Sequence, residues 1–323
     1  MIDIIIPAYN SRKTIINTVA SIATQSIRKE VIVTIVNDGG CEDYANIVNF
    51  FKPFINICEI GYKTNAGPGF ARQYGVNHTN ADFIVFIDAD DVLSDKYALE
   101  RMKNAVEEQT QIVLTAFTNV GKDKKPVWRE PNSVEIFAHL FRRSFLENNE
   151  IKMFNIRTNE DVGYNTMCNL IALHQFGIGA FAVLYESTYI RYYNENSITN
   201  AESFQEDKFS SYIYSLTKAY NFVEEKGVTF EEMAENIVET LYNCYYFYNI
   251  ALTKQLSTLQ IKKTSQILFD KYWDKVKCFF SQQQLEHFKI KMYNIRKNIE
   301  LFDLKYSFEN FVKEIQKGDN YEK

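Results

Sequence analysis

An open, mostly parallel α/β sheet over residues 1–200, followed by an all-helical module over residues 201–323, is the fold this sequence predicts. Three observations carry it. Strand-like apolar runs alternate with helical patterns from Ile2 onward, which is the rhythm of strands joined by right-handed helical crossovers. The run Phe83-Ile-Val-Phe-Ile87 has no polar interruption, as expected of a strand buried on both faces. Beyond about residue 201 the alternation stops, glycine nearly vanishes, and Ile237, Leu241, Tyr245 and Tyr248 recur at helical spacing.

Each element follows from local chemistry. Ile2 to Ile6 reads as a strand stopped by Pro7, and Asn10 or Ser11 is placed to cap a helix whose Ile15, Ile16, Val19 and Ile22 share one face. Glu30 to Val36 is a second strand ending in Asn37-Asp-Gly-Gly40, a helix over 43–51 follows, and a third strand lies near Ile55 to Ile60. Gly67, Pro68 and Gly69 force a turn before a helix over 70–77, whose glycine-rich start would let backbone amides approach a phosphate. After the acidic strand come a helix from Ser94 or Asp95 to about Gln109, a strand over 111–118, a polar turn over 121–126 and a helix over 134–147. Thr158-Asn-Glu-Asp161 opens a helix to about Gln175, and Gly177 to Leu184 and Tyr189 to Tyr193 read as two strands. The module's helices are expected over 202–226, 229–253, 256–281 and 283–315. Its aromatic run Tyr242-Asn-Cys-Tyr-Tyr-Phe-Tyr248 reads as helix packing in preference to a sugar-stacking platform.

Chemistry concentrates where Phe83 to Ile87 runs into Asp88-Ala-Asp-Asp91. Side chains alternate along a strand, so Asp88 and Asp90 are expected on one side, at the carboxyl edge of the sheet. Paired carboxylates there suit Mg²⁺ or Mn²⁺, which favour one or two carboxylates plus a substrate's phosphates. A solvated acidic turn with Asp91 capping the next helix is the plainer possibility, just as Glu160-Asp161 suits the positive end of a helix dipole without further purpose.

The totals narrow the classes. A 323-residue chain with 46% apolar residues and no 18-residue apolar run is expected to be soluble, and Met1 to Pro7 lacks the basic start of a secretion signal. Five widely spaced cysteines without a Cys-x-x-Cys fit reduced, mostly buried thiols in a cytoplasmic protein, and the four histidines show no ligand spacing. A net charge of −5 argues against a general nucleic-acid binder.

Taken in order, these pieces resemble family 2 glycosyltransferases. Ile2 to Asn10 is similar to their opening strand and Pro-x-Tyr-Asn turn, Val36-Asn-Asp-Gly39 to Val-Asp-Asp-Gly, and Asn65 through Ala71-Arg72 to Gly75 to Asn-x-Gly-x-x-x-Ala-Arg-Asn-x-Gly. Phe86 to Asp91 resembles their metal motif, Glu160-Asp161 their acceptor-side acidic pair, and Tyr192-Tyr193 to Ser197-Ile-Thr199 the segment that closes the domain. Asn37, Gly40 and Gln73 depart from the family's aspartate, serine and asparagine.

The resemblance implies a GT-A fold, a Rossmann-like sheet flanked by helices, and a set of roles. Pro7, Ala8 and Tyr9 would line the nucleobase pocket with Asn65, Gly67 and Ala89 completing the donor side, and Asp38 would accept from the imide of uracil. Arg72 would meet the base edge or the diphosphate, Asp88 the ribose or the ion, and Asp90 the ion, Mn²⁺ or Mg²⁺. Asp161 would be the general base of a single inverting displacement, with Glu160 and, on the acceptor side, Asp91 in support. The implied partners are a nucleotide-sugar, chiefly a UDP-sugar, and a glycan, lipid-linked or polymeric acceptor such as teichoic acid. The helical module would set the acceptor or form a homo-oligomer, and the basic residues within 283–297 would equally suit an anionic membrane surface or a solvated helix face. A sugar-nucleotide or glycan-binding subunit without activity is the alternative from another class; a nucleotidyltransferase is disfavoured because Ala8-Tyr-Asn-Ser11 is not a glycine-rich basic loop.

Overall fold

The protein is described by a computed structural model covering residues 1–132, 134–195, 205–255, 257–296 and 306–317. It separates into two compact units, Met1–Asn200 and Ala201–Lys323.

The first unit is built on one mixed sheet. Strands β1 (Ile2–Ala8), β2 (Val31–Asp38), β3 (Asn56–Tyr62) and β4 (Phe83–Phe86) run parallel, in the order β3-β2-β1-β4. Helices α1 (Arg12–Ala23), α2 (Ala45–Phe51) and α3 (Pro68–Asn77) are the crossovers between them. Ile2, Ile4, Ile6, Val33, Ile35 and Val85 form a continuous apolar core with Ile15, Val19 and Ile22 of α1. Burial of that size is the main driving force for the unit. Ser11 precedes α1 without a side-chain cap; its hydroxyl meets Tyr44 Oη at 3.1 Å instead.

Past β4 the sheet departs from the expected pattern. After β5 (Val92–Leu93), the helix expected from Ser94 is confined to α4 (Ala98–Asn104), because Asp95 accepts from the Tyr97 amide and holds the entry as a turn. Strand β6 (Ile112–Val120) turns into β7 (Pro126–Arg129), as the polar 121–126 stretch predicts. The helix expected over 134–147 is instead strand β8 (His139–Arg142) and a short α5 (Arg143–Asn148). β8 fills the slot between β4 and β6, antiparallel to both, so sheet pairing overrides local helical propensity. After α6 (Glu160–Phe176) the two predicted strands are one, β9 (Phe181–Tyr192), parallel to β6. Its register jumps from Thr115↔Leu184 to Ala116↔Ser187, leaving Tyr185 and Glu186 in a bulge. A bulge bends its strand and re-aims the residues beyond it. Here it re-aims Tyr189, which points its hydroxyl at the acidic turn after β4.

The second unit is helical: α7 (Gln205–Glu225), α8 (Phe230–Thr253), α9 (Leu259–Val276), α10 (Gln282–Arg296) and α11 (Phe308–Gln316). The helix expected over 283–315 is therefore two, and residues 297–305 between them lie outside the described residues. Thr229 and Glu232 close a capping box at the start of α8. The aromatic run of α8 is packing: Tyr242 stacks on Phe288, and Tyr245 and Tyr248 pack against Phe311. Glu314 accepts from Tyr248 and pairs with Lys262 at 2.6 Å, which ties α11 to α8 and α9.

No helix among the described residues is long and apolar enough to cross a membrane. Of the five cysteines only Cys168 and Cys244 are buried; Cys41, Cys58 and Cys278 are exposed, contrary to the expectation of mostly buried thiols.

Candidate active site

β4 ends at Phe86, one last ladder bond from the Ile87 amide to the Ile5 carbonyl follows at 3.2 Å, and the chain then turns away through the acids. The Asp91 amide donates to the Asp88 carbonyl at 3.1 Å, so Asp88 to Asp91 is a turn and the strand alternation expected for Asp88 and Asp90 does not apply. Each carboxylate is instead held separately. Asp88 Oδ1 pairs with Arg72 at 2.7 Å, and Asp90 Oδ2 accepts from the Asn194 side chain at 2.8 Å. Asp91 accepts from Tyr189 Oη at 2.8 Å and from the Tyr192 amide at 2.8 Å. The Tyr189 hydroxyl also accepts from the Asp88 amide at 3.1 Å, so one buried phenol anchors both ends of the turn.

Arg72 joins this turn to the second acidic motif. Its Nη1 meets Glu160 Oε1 at 2.7 Å while Nη2 holds Asp88, and the guanidinium is only 5% exposed. Burial works against its charge, but the two carboxylates outweigh that and keep it protonated. Arg72, expected to meet a donor's base or diphosphate, is placed as a strut between Asp88 and Glu160. Gly69, one turn earlier in α3, makes room for this contact: a Cβ there would lie 2.6 Å from Glu160 Cγ.

Asn159, in the left-handed region at φ 59°, starts α6 and sets Glu160 and Asp161 on its first turn. Burial raises the Glu160 carboxyl to about 7, with Asp161 beside it adding and Arg72 opposing. Burial also raises Asp161, opposed by Arg72 and reinforced by Asp88. Asp91 is pushed to about 8 by burial and then by Asp88 and Asp90, and Asp90 rises through burial and the nearby Asp88. These shifts, each driven partly by a neighbouring acid, mark one cluster of carboxylates at the carboxyl end of the sheet.

Two other expected site residues are heavily hydrogen-bonded. Asp38 is 3% exposed, and its two oxygens accept from Tyr62 Oη, Asn65 Nδ2 and the amides of Ala66 and Gly67, at 2.7 to 3.1 Å. Those four donors fill its lone pairs, so Asp38 shapes the 64–67 loop. Asp91, 2% exposed with both oxygens engaged, anchors the turn. Of the remaining donor-side residues, Ala8 and Ala89 are buried, Pro7, Asn65 and Gly67 are half-buried or buried, and Tyr9 is exposed beyond the end of β1. Ser197 to Thr199 of the closing segment lie outside the described residues.

The structure adds residues that the sequence did not single out: Tyr189, Asn194, Glu135 and Arg191. Arg191 lies over the Phe137 ring and stands 4.0 Å from Glu135, and its charge is further supported by Asp91 and Asp88. Their signal was weak but present, since charged and aromatic side chains at the end of the strand beside an acidic turn sit where open α/β sheets bind ligands.

A family model, glycosyl transferase family 2, matches residues 3–171, just over half of the chain. The chain belongs to that family. Among curated relatives it is 25% identical over 164 residues to poly(ribitol-phosphate) beta-N-acetylglucosaminyltransferase TarS of Staphylococcus aureus, covering 46% of this chain and 29% of TarS. It is 28% identical over 166 residues to poly(ribitol-phosphate) beta-glucosyltransferase of Bacillus spizizenii, covering 46% of this chain and 26% of that protein. The matched stretch thus spans less than a third of those relatives. Among solved structures, S. aureus TarS 1-349 in complex with UDP-GlcNAc aligns with TM-score 0.64 at 18% identity, over 99% of this chain and 93% of that one. The mannosyltransferase PcManGT from Pyrobaculum calidifontis, in complex with GDP-Man and Mn²⁺, aligns with TM-score 0.56 at 10% identity, over 100% of this chain and 87% of that one. These likenesses establish the GT-A fold for this family 2 chain.

The donor set of the pocket fits a divalent cation. Six carboxylates, Asp88, Asp90, Asp91, Glu135, Glu160 and Asp161, interact with the guanidinium groups of Arg72, Arg191 and Arg129, and the upward shifts among them are driven partly by neighbouring acids. Such an excess of negative charge is relieved by a bound cation. Among the described residues no three His, Cys, Asp or Glu side chains form a cage. The fit is therefore to an ion held by one or two carboxylates and completed by a diphosphate, the habit of Mg²⁺.

Proposed function

We propose that the protein transfers a sugar from a nucleotide-sugar, most naturally a UDP-sugar, to an acceptor hydroxyl with inversion of the anomeric carbon. The observation that carries this is the Arg72 strut: bonds of 2.7 Å to Asp88 and to Glu160 bring the Asp-x-Asp turn and the second acidic pair to one end of the sheet. Donor and acceptor chemistry need that proximity, because a direct displacement has its base on the opposite face of the sugar from the leaving diphosphate.

Each residue then has a task. Asp90, half-buried and steadied by Asn194, and the outer oxygen of Asp88 would hold a divalent ion. When bound, that ion supplies Lewis-acid stabilisation of the departing diphosphate. Tyr189 and Asp91 keep the turn in shape, and Arg191 adds positive charge at its rim. Asp161 accepts the proton from the acceptor hydroxyl; burial raises its pKa, which makes it a stronger base than an ordinary aspartate. Glu160, locked to Arg72, fixes the first turn of α6 on which Asp161 sits. The names of the poly(ribitol-phosphate) transferases support a polymeric cell-surface acceptor. The acidic pocket's location inside the cytoplasm, as expected from the cysteines, belongs to the same proposal.

The test is a panel of UDP-sugars assayed for hydrolysis and transfer, with the Asp161→Asn variant beside the wild type. Loss of transfer by about 10²-fold or more, with UDP affinity retained, is expected. Wild-type turnover in the variant removes Asp161 from the chemistry. UDP binding without hydrolysis or transfer for every donor would instead establish a binding subunit.

A further inference from the structure

The hairpin formed by β6 and β7 contributes no carboxylate to the acidic site, yet it is fastened to it through β9. At the turn, Val120 pairs with Pro126 and with Tyr192, and its carbonyl accepts from the Tyr193 amide at 2.9 Å. The next contacts along that strand are those of Tyr192 with Asp91 and of Asn194 with Asp90. Burial raises the Glu135 carboxyl, and the charge of Arg129 at the far end of β7 opposes that.

Its surface has a composition unlike the rest of the chain. Gly121-Lys-Asp-Lys-Lys-Pro-Val-Trp-Arg129 carries four basic side chains against Asp123 alone, in a protein of net charge −5. Residues 122–129 are all exposed. Asp123 stands 4.0 Å from the Lys125 ammonium, and Lys122, Lys124 and Arg129 have no ion-pair partner among the described residues. Lys124 sits at φ 59°, a left-handed position where glycine or asparagine is at ease, so turn geometry does not account for a lysine there. Trp128 is 53% exposed, and its Nε1 donates to the Tyr185 carbonyl on the β9 bulge at 3.3 Å. An indole held by its one donor with its ring open to solvent is a platform for the apolar face of a sugar. Cations beside such a platform complement a ligand that is both saccharide-like and anionic.

We propose that the β6–β7 hairpin is the docking surface for the acceptor, and that the acceptor is a phosphodiester-bearing glycan or alditol polymer. Its phosphates lie along Lys122, Lys124, Lys125 and Arg129, a sugar or alditol unit rests on Trp128, and the attachment of the hairpin to Tyr192 and Tyr193 sets the next hydroxyl toward Asp161. This deepens the transferase reading above and rests on it.

The experiment uses the full chain, the variant Lys122→Glu/Lys124→Glu/Lys125→Glu, and separately Trp128→Ala. Binding is measured to poly(ribitol phosphate), to uncharged dextran of similar length, to phosphatidylglycerol vesicles and to a single-stranded oligonucleotide, with UDP affinity and UDP-sugar hydrolysis as independent readouts. The wild type is expected to bind poly(ribitol phosphate) in preference to dextran, with affinity that falls as salt rises. The triple variant is expected to lose at least about tenfold of that affinity while UDP affinity and donor hydrolysis stay at wild-type levels. Trp128→Ala is expected to weaken polymer binding in the same way, with the same two readouts unchanged. Equal polymer binding by the triple variant, equal binding of dextran by the wild type, or tighter binding to vesicles or oligonucleotide would each overturn the proposal. Absence of donor hydrolysis in the wild type, with hairpin-dependent polymer binding intact, would refute the transferase reading and leave a polymer-binding surface standing.

Discussion

Replacing Arg72 by methionine tests the strut that organises the site. The guanidinium and the Glu160 carboxylate are each about 95% buried and meet at 2.7 Å, so the substitution keeps the volume and strands a buried acid. Breaking a buried pair from one side costs about 3–5 kcal/mol. The Asp88 arm, whose carboxylate is about one-third exposed, adds little because water screens it. At roughly 2–4 °C per kcal/mol for a unit of this size, thermal unfolding should fall by about 6–20 °C. The effect must also depend on pH with a definite sign. Without Arg72, the folded-state pKa of Glu160 lies further above its unfolded value than it already does at about 7. A group raised in this way contributes stability that is complete below the unfolded pKa and is lost as pH rises through the folded one. The gap between variant and wild type should therefore widen from pH 5 to pH 8. Adding Glu160→Gln removes the stranded charge and should recover more than half of the loss. Unfolding of Arg72→Met within about 2 °C of wild type at pH 8, or a gap that narrows as pH rises, refutes the strut.

Neighbouring contacts give two further outcomes. Gly69→Ala puts a Cβ 2.6 Å from Glu160 Cγ and 2.9 Å from its Cβ, so the first turn of α6 must shift; about 1–3 kcal/mol of lost stability in denaturant unfolding and reduced transfer are expected, and an unchanged midpoint would show that Glu160 moves aside freely. Chelation of divalent ions should abolish transfer and lower UDP affinity, with Mn²⁺ restoring both in wild type but not in Asp90→Asn, and transfer persisting in chelator at the wild-type rate would remove the ion from the proposal.

Sequence patterning was sufficient for the first half of the sheet, where β1, β2 and β4 carry apolar runs buried on both faces, although β1 continues through Pro7, expected to stop it, to Ala8. It failed at 134–147. His139-Leu-Phe-Arg142 has no strong local preference, and the vacant slot between β4 and β6 made it a strand. The same division holds in the site. That acids gather at residues 88–91 and 160–161 was legible as composition; which of them are available was not.

What the amino-acid sequence determined alone is the alternation of strands and helices, the change to helices after residue 200 and the presence of two acidic motifs, since each depends on residues adjacent in the chain. What only the tertiary structure decided is the partnership of groups far apart: Arg72 between Asp88 and Glu160, Asp38 closed over by the 64–67 loop, Tyr189 beneath Asp91, and a basic hairpin joined to the rim. A carboxylate's chemistry depends on its burial and on the donors around it, and those come from segments up to about a hundred residues away, such as Tyr189 from Asp91. Residue type names a candidate; the fold determines whether its oxygens are free.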